Sequence, residues 1–308
     1  MRQTYQRLHR AVTLMPPGLR GLLLLTIAVG VATVNHAIIR HLGADLPPEE
    51  VVVVRHVFGL IVLSPFIWRF GVRRTFRTNR FALHMTRGVI GGFGSLAWYT
   101  GLTLIPFVEA TALSFLSVMF VTVGAVLFLG EKAGPRRWGA VVAGFVGALI
   151  ILRPGFEAVS TGSLIVLVSA VTMGATMLLL KVLTRTEAAL TIVVYMYLYR
   201  IGVSVVPATI NWVWPTPEQW AWFMLMGVLS SVTNMAQAQA FKDADATLLA
   251  PVRFTRLIWA ALIGFFVFSE IPDGWTMLGG AVIAGSISYI AYREAQIRRQ
   301  KAAADADD

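Results

Sequence analysis

Ten apolar runs, all but the fifth long enough to cross about 30 Å of hydrocarbon at roughly 1.5 Å per residue, follow one another along this 308-residue chain. They cover residues 19–39, 49–68, 81–103, 107–129, 137–152, 162–181, 190–210, 219–241, 246–268 and 275–292. Hydrocarbon offers backbone N–H and C=O groups no partner, so each run must satisfy its own hydrogen bonds, as an α-helix does within one segment. An all-α integral membrane protein of ten transmembrane helices is therefore expected. Composition agrees, with 56% hydrophobic and 14% charged residues, well outside soluble averages. The connections are too short for an aqueous domain. The fifth run is short at 16 residues, and Arg153-Pro154-Gly155 punctuates its exit, so its start is open to earlier positions.

A formal charge of +10 would suit nucleic acid if the cations were spread, but their distribution excludes that partner. With a cytoplasmic start, 19 of the 26 Lys and Arg fall in cytoplasmic segments, concentrated at Arg69, Arg73, Arg74, Arg77 and Arg80 and at Arg298-Arg299-Gln300-Lys301; only Arg40 and Arg153 fall outside. That skew is the positive-inside rule. It predicts a multi-pass protein of the inner (plasma) membrane with both termini cytoplasmic. Eighteen mostly polar and basic residues precede the first run with no cleavage site following, so the first helix is expected to stay. Trp212, Trp214, Trp220 and Trp222 fall in and beside the outer connection after the seventh run, as an aromatic belt would. Cysteine is absent and the five histidines are scattered, so no disulfide, cysteine nucleophile, metal site or cofactor is expected.

The chain also repeats itself. Anchored on Glu131 and Glu270, ALSFLSVMFVTVGAVLFLGEK lies over PVRFTRLIWAALIGFFVFSEI at an offset of 139 residues, and Trp138 and Trp275 each open a Gly- and Ala-rich span shortly after. An odd number of spans per copy inverts the second in the membrane. The expected organisation is one five-helix repeat over 19–155 and a second, inverted one over 162–292, with tails at 1–18 and 293–308.

Ala97-Trp98-Tyr99, Ala110-Thr111, Gly130-Glu131-Lys132, Trp138-Gly139 and Leu152-Arg153-Pro154-Gly155, in this order, resemble the first EamA repeat of the drug/metabolite transporter superfamily. The second half is similar through Ala244 to Ala250, Pro251, Ser269-Glu270 and Trp275. Prolines often seen in the fourth and ninth helices of that family are replaced by Val118 and Leu257, which puts a helix break there in question. The resemblance implies a central cavity lined by spans 1, 3, 4, 6, 8 and 9, with spans 5 and 10 peripheral.

Polar side chains within the spans mark candidates for such a cavity, because each needs a partner or water at that depth. They are Asn35 and His36 in span 1, Tyr99 in span 3, Ser114 and Ser117 in span 4, Asn234 and Gln237 in span 8, and Arg253 and Arg256 in span 9. The two arginines are the leading candidates: three-residue spacing sets both on one helix face, where their planar donors can hold a carboxylate or phosphate. Under the 139-residue offset their counterparts are Ser114 and Ser117. Arg256 could instead pair with Glu109. Arg55 and Arg87 lie about two turns from helix ends and read as snorkelling or inter-helix groups; Arg200 reads as structural. Glu109, a carboxylate placed inside span 4, is either a proton-coupling group or a first-turn residue complementing the helix dipole. Glu131 and Glu270 read as caps or ties between repeats. Glycines in spans 3, 5 and 10 allow close helix approach, which for 5 and 10 leaves monomer and homodimer both open.

Deep polar groups within inverted repeats are what a secondary transporter requires, with solute moved by alternating access. An intramembrane lipid-processing enzyme would need a nucleophile, paired carboxylates or metal ligands close together, and no such grouping is spelled, so catalytic residues are not expected. A sensor would more naturally carry a soluble output domain. The expected partners are a small-molecule solute and the lipid bilayer. Arginine among aromatic and amide groups favours an amphipathic, partly anionic or zwitterionic metabolite. The spelling PVRFTRL resembles the subgroup that includes uptake carriers for S-adenosylmethionine and riboflavin; amino-acid or drug exporters are the alternative.

Overall fold

The computed structural model describes residues 17–130, 134–153, 159–243 and 250–307. Helices lie at all ten expected spans: α1 Pro17–Leu42, α2 Pro48–Phe70, α3 Phe81–Leu104, α4 as two pieces, Phe107–Ser114 (α4a) and Leu116–Leu129 (α4b), and α5 Pro135–Leu152. The second half follows with α6 Thr161–Leu183, α7 Ala189–Ile210, α8 Pro217–Asp243, α9 Thr255–Phe268 entered through a 3-10 turn at Ala250–Phe254, and α10 Gly274–Asp307. Six of these, α1, α2, α4, α5, α6 and α7, are long and apolar enough to cross a membrane on length and composition alone. Glu131, Lys132, Pro154, Gly155 and Ala244, all named from the sequence, lie outside the described residues.

Local chemistry sets the helix ends. Pro48 and Pro135 sit in first turns, where a missing N–H costs nothing. The Ser160 hydroxyl accepts from Ser163 N at 3.0 Å, and Asp273 Oδ1 accepts from Thr276 N at 2.8 Å. α5 thus starts two residues ahead of its apolar run. α10 continues well beyond its run, because Ala, Arg, Gln and Lys in 293–307 are strong helix formers.

The bundle is inside-out relative to a soluble one. Asn35, His56, Arg87, Ser114 and Ser117 are buried, while Trp68, Phe128 and Phe266 are at least 75% exposed. Only a surrounding hydrocarbon phase makes that arrangement favourable.

Helix pairing follows the inverted repeat. α1 packs on α8 as its equivalent α6 packs on α3, while α2 meets α7 and α5 meets α10 across the symmetry axis. α4b and α9 correspond residue for residue: both have 14 residues, starting and ending 139 positions apart. Both end in a left-handed residue, Gly130 at φ 66° and Ser269 at φ 53°, whose N–H returns to the carbonyl five back, Ala125 and Gly264. Phe115 and Phe254, also 139 apart, meet across the axis with ring centroids 5.4 Å apart.

The helix break put in question by Val118 and Leu257 is present in both halves. At Phe115 the ladder tightens, Phe115 N donating to Ala112 O at 3.2 Å and Val118 N to Phe115 O at 3.0 Å, and the 3-10 turn before Thr255 is its partner. A 3-10 step delivers this without proline.

Small residues in spans 5 and 10 serve each other. A side chain at Gly279 would meet Gly147 O at 2.5 Å, and one at Gly147 would meet Gly279 O at 2.8 Å, so backbone lies on backbone there.

Candidate functional site

A cavity of about 880 Å³ opens between α1, α2, α7 and α8, within the size range of small-molecule sites. α1 contributes Asn35 and His36, α2 contributes Arg55, His56, Leu63 and Phe66, α7 contributes Tyr197 and Arg200, and α8 contributes Ser230 and Thr233. The lining runs from these mid-helix polar groups to Arg69 and Phe70 at the end of α2 and Ala189 at the start of α7. The cavity therefore reaches the face where α2 ends. Pro65 lies in this stretch of α2 and removes the ladder bond to Ile61 O, which the Ser64 hydroxyl takes over at 2.7 Å.

The lining of this cavity differs from the implied set of spans 1, 3, 4, 6, 8 and 9: α2 and α7 supply much of the wall, and α3 and α9 reach it through Tyr99 and Arg256. The cause is packing. α3 sets its glycines against the neighbouring helices, Gly94 against Thr172 of α6 and Gly88, Gly91 and Gly92 against Tyr199, Arg200 and Val203 of α7, so that α7 comes close and supplies the wall.

The polar wall is built from two histidine–arginine pairs. His56 Nδ1 donates to Val52 O at 2.6 Å, which leaves Nε2 as the acceptor for Arg200 Nη1 at 3.3 Å. His36 Nδ1 accepts from Arg256 Nη2 at 2.9 Å and meets Trp98 edge-on at 5.5 Å. The Arg256 guanidinium also lies 5.6 Å from the Trp98 ring centroid and 6.0 Å from that of Phe115, at cation–π range. Between the pairs, Arg55 Nη1 donates to the Tyr99 hydroxyl at 2.5 Å. Asn35 Nδ2 donates to Ser230 Oγ at 2.8 Å and to Met226 O at 3.3 Å, tying α1 to α8.

Of the residues singled out from sequence, Asn35 and His36 line the cavity, and Tyr99 and Arg256 touch its wall through Arg55 and His36. Arg253 and Arg256 part company. Arg253 belongs to the 3-10 turn, has an exposed side chain and is outside the cavity lining, whereas Arg256 in α9 is half-buried against His36. Ser114 and Ser117 are buried away from the cavity, the Ser114 hydroxyl donating to Thr111 O of its own helix at 2.7 Å. Asn234 and Gln237 lie on α8, with side chains outside the described residues.

Two arginines change standing, and Arg87 keeps its reading as an inter-helix group. Arg200, read as structural, and Arg55, read as a snorkelling or inter-helix group, both line the cavity, Arg55 while also bonding Tyr99 of α3. Arg87 bonds between helices, Nε to Thr176 O at 3.4 Å and Nη2 to Met196 Sδ at 3.5 Å. Depth could have nominated Arg200; the contact with His56, 144 residues away, could not be read from spacing.

The opposite face is tied shut by ionic and capping contacts. Arg40 at the end of α1 pairs with Glu270, donates from Nη1 to Ile105 O at 2.9 Å, and lies over the Phe268 ring. Glu270 Oε2 accepts from Phe107 N at 2.8 Å, capping α4a. The left-handed Ser269 turns the chain so that Glu270 folds back onto the other repeat. Glu50 Oε2 accepts from Val213 N at 3.0 Å, Glu49 from Asn211 at 3.0 Å, and Asp273 pairs with Arg153. Burial would raise the Asp273 carboxyl, but bonds from Thr276 and Arg153 outweigh it and hold it below the usual carboxylate range.

Glu109 belongs to this face. Its Oε1 accepts from the Ser163 hydroxyl at 2.7 Å, so its partner is Ser163 and not Arg256, and it does not line the cavity. Glu109→Gln is accordingly expected to leave flux as dependent on a pH gradient as in the unaltered protein. Vesicle flux measured with and without the gradient checks this, and loss of the dependence would restore Glu109 as the coupling group.

Comparison with known proteins supports the fold. The EamA-like transporter family matches residues 19–153 and again 160–292. An S-adenosylmethionine uptake transporter of Rickettsia bellii is 31% identical over 270 residues, covering 88% of this chain and 92% of that protein. A riboflavin transporter of Vibrio cholerae is 31% identical over 282 residues, 90% of this chain and 94% of that protein. A riboflavin transporter of Rhizobium johnstonii is 34% identical over 246 residues, 80% and 81% respectively. A solved crystal structure shares the fold with a TM-score of 0.59 at 15% identity, covering 89% of this chain and 96% of that one.

Proposed function

Because the chain belongs to the EamA-like transporter family, we propose that the cavity between α1, α2, α7 and α8 is the solute site of a secondary transporter working by alternating access. The protein is a multi-pass membrane transporter of small metabolites and not an enzyme. Its solute is an amphipathic metabolite of the size of S-adenosylmethionine or riboflavin, the compounds for which its relatives are named. An amino acid or drug moved outward is the alternative.

One observation carries this reading: a cavity with guanidinium and imidazole groups at mid-depth reaches one face, while the other is closed by Arg40, Glu270 and their neighbours. Such a one-sided vestibule is half of an alternating-access cycle. The basic residues of the chain cluster at the open face, which supports a cytoplasmic position for that face and for both termini.

The test is flux of labelled riboflavin and S-adenosylmethionine into vesicles carrying the purified protein. Arg256→Ala removes the donor that orients His36 and is expected to lower flux about 10- to 100-fold, a charged hydrogen bond being worth roughly 1.5–3 kcal/mol. Insertion and unfolding temperature should change little by comparison. Full flux in Arg256→Ala would make that pair structural, and movement of neither compound would remove both as solutes.

A further inference from the structure

We propose that Arg55 and Arg200 together select the solute by gripping a carboxylate or phosphate that it carries, an assignment that rests on the transport reading above. Both side chains line the cavity, one from each repeat. Each guanidinium presents five N–H donors. Arg55 directs one to the Tyr99 hydroxyl, and Arg200 directs one to His56 Nε2. Both partners are uncharged in these bonds, since the remaining ring proton of His56 goes to Val52 O.

Among the described residues no carboxylate pairs with either arginine. The acidic groups are committed elsewhere: Glu50 to Val213 N, Glu109 to Ser163, Glu187 to Thr78, Glu270 to Arg40 and Asp273 to Arg153. Arg87, buried behind α7 and within electrostatic reach of Arg200, also bonds only neutral atoms, Thr176 O and Met196 Sδ. Cations gathered at mid-depth without a counter-ion are costly. A solute that brings the negative charge relieves that cost on entry, and planar donors favour bidentate carboxylate or phosphate over a point acceptor. Val62, Leu63, Phe66, Val193 and Tyr197 along the same wall leave room for an apolar or aromatic body.

Two matched pairs of probes isolate the charged group: riboflavin against flavin mononucleotide, which adds a phosphate, and S-adenosylmethionine against its decarboxylated form, which lacks the carboxylate. Affinity of the purified full chain for each, with succinate and inorganic phosphate as minimal anions, is read from the unfolding temperature at constant ionic strength. In at least one pair the anionic member should bind about tenfold tighter. Arg55→Gln with Arg200→Gln should remove that preference, and Arg73→Gln, an exposed arginine outside the cavity, should not. Arg200→Lys keeps the charge and loses the planar donors, so it should retain part of the preference and serves if the double variant fails to fold. Equal affinity within both pairs, no stabilisation by any anionic probe, or a preference that survives in the arginine variants overturns the proposal. Riboflavin flux without a charge preference would leave transport standing and remove the arginine grip. Anion preference without flux would do the reverse.

Discussion

Glu270→Ala is expected to release the closed face and shift the protein toward the conformation open on that side. The substitution strands the Arg40 guanidinium and uncaps Phe107 N together, both of which Glu270 holds from the other repeat. Removing one partner of such a half-buried pair costs about 3–5 kcal/mol, enough to move a two-state equilibrium by roughly 10²- to 10³-fold. The chain has no cysteine, so Val62→Cys on the cavity wall is a clean reporter for a membrane-impermeant thiol reagent added from either side. In Glu270→Ala the labelling rate from the closed face should rise by about a hundredfold or more, with Glu270→Gln intermediate because it keeps the acceptor for Phe107 N. A second cysteine in the tail beyond 293, labelled from one side only, reads the orientation of the termini in the same preparation. Unchanged labelling from both sides would mean that the Arg40–Glu270 pair holds helices together without governing access.

Gly279→Val should weaken the joint between α5 and α10 more than any conservative exchange elsewhere in those helices. Its Cβ would lie 2.5 Å from Gly147 O and 2.5 Å from Ile151 Cγ1. The first neighbour is a backbone carbonyl that no rotamer change can withdraw, so the helices must part. Overpacking of this kind costs about 1–3 kcal/mol and sometimes more. Gly285→Ala in the same helix meets open space and should stay within about 0.5 kcal/mol of the starting protein. Unfolding temperatures of the two variants in detergent make the comparison, and equal values would mean that the backbone apposition is not tight.

The ten spans were legible because hydropathy over 20 residues is a local property that the bilayer enforces segment by segment. The repeat was legible for a related reason: the offset anchored on Glu131 and Glu270 is the one at which α4b and α9 begin, end and cap alike. The candidate site was only partly legible. Asn35 and His36 were found because polarity within a span is itself a signal. Distance from helix ends and the family's implied lining point away from Arg55 and Arg200, whereas their placement depends on which face α3 buries. Glycine contacts with Tyr199, Val203 and Thr172 settle that face, and a contact between α3 and α7 has no trace in the periodicity of either. A continuous α-helix would set Arg253 and Arg256 together, and the 3-10 turn separates them.

The matched lengths of α4b and α9 bear on energetics as well as on geometry. Were the two arms identical in sequence, a state with the first arm's end closed and a state with the second arm's end closed would be images of each other and equally populated. They differ where serines stand at 114 and 117 and arginines at 253 and 256, so the resting preference between the two states is written in the departures from symmetry. Grafting residues from one arm onto the other would tune that balance without altering the architecture.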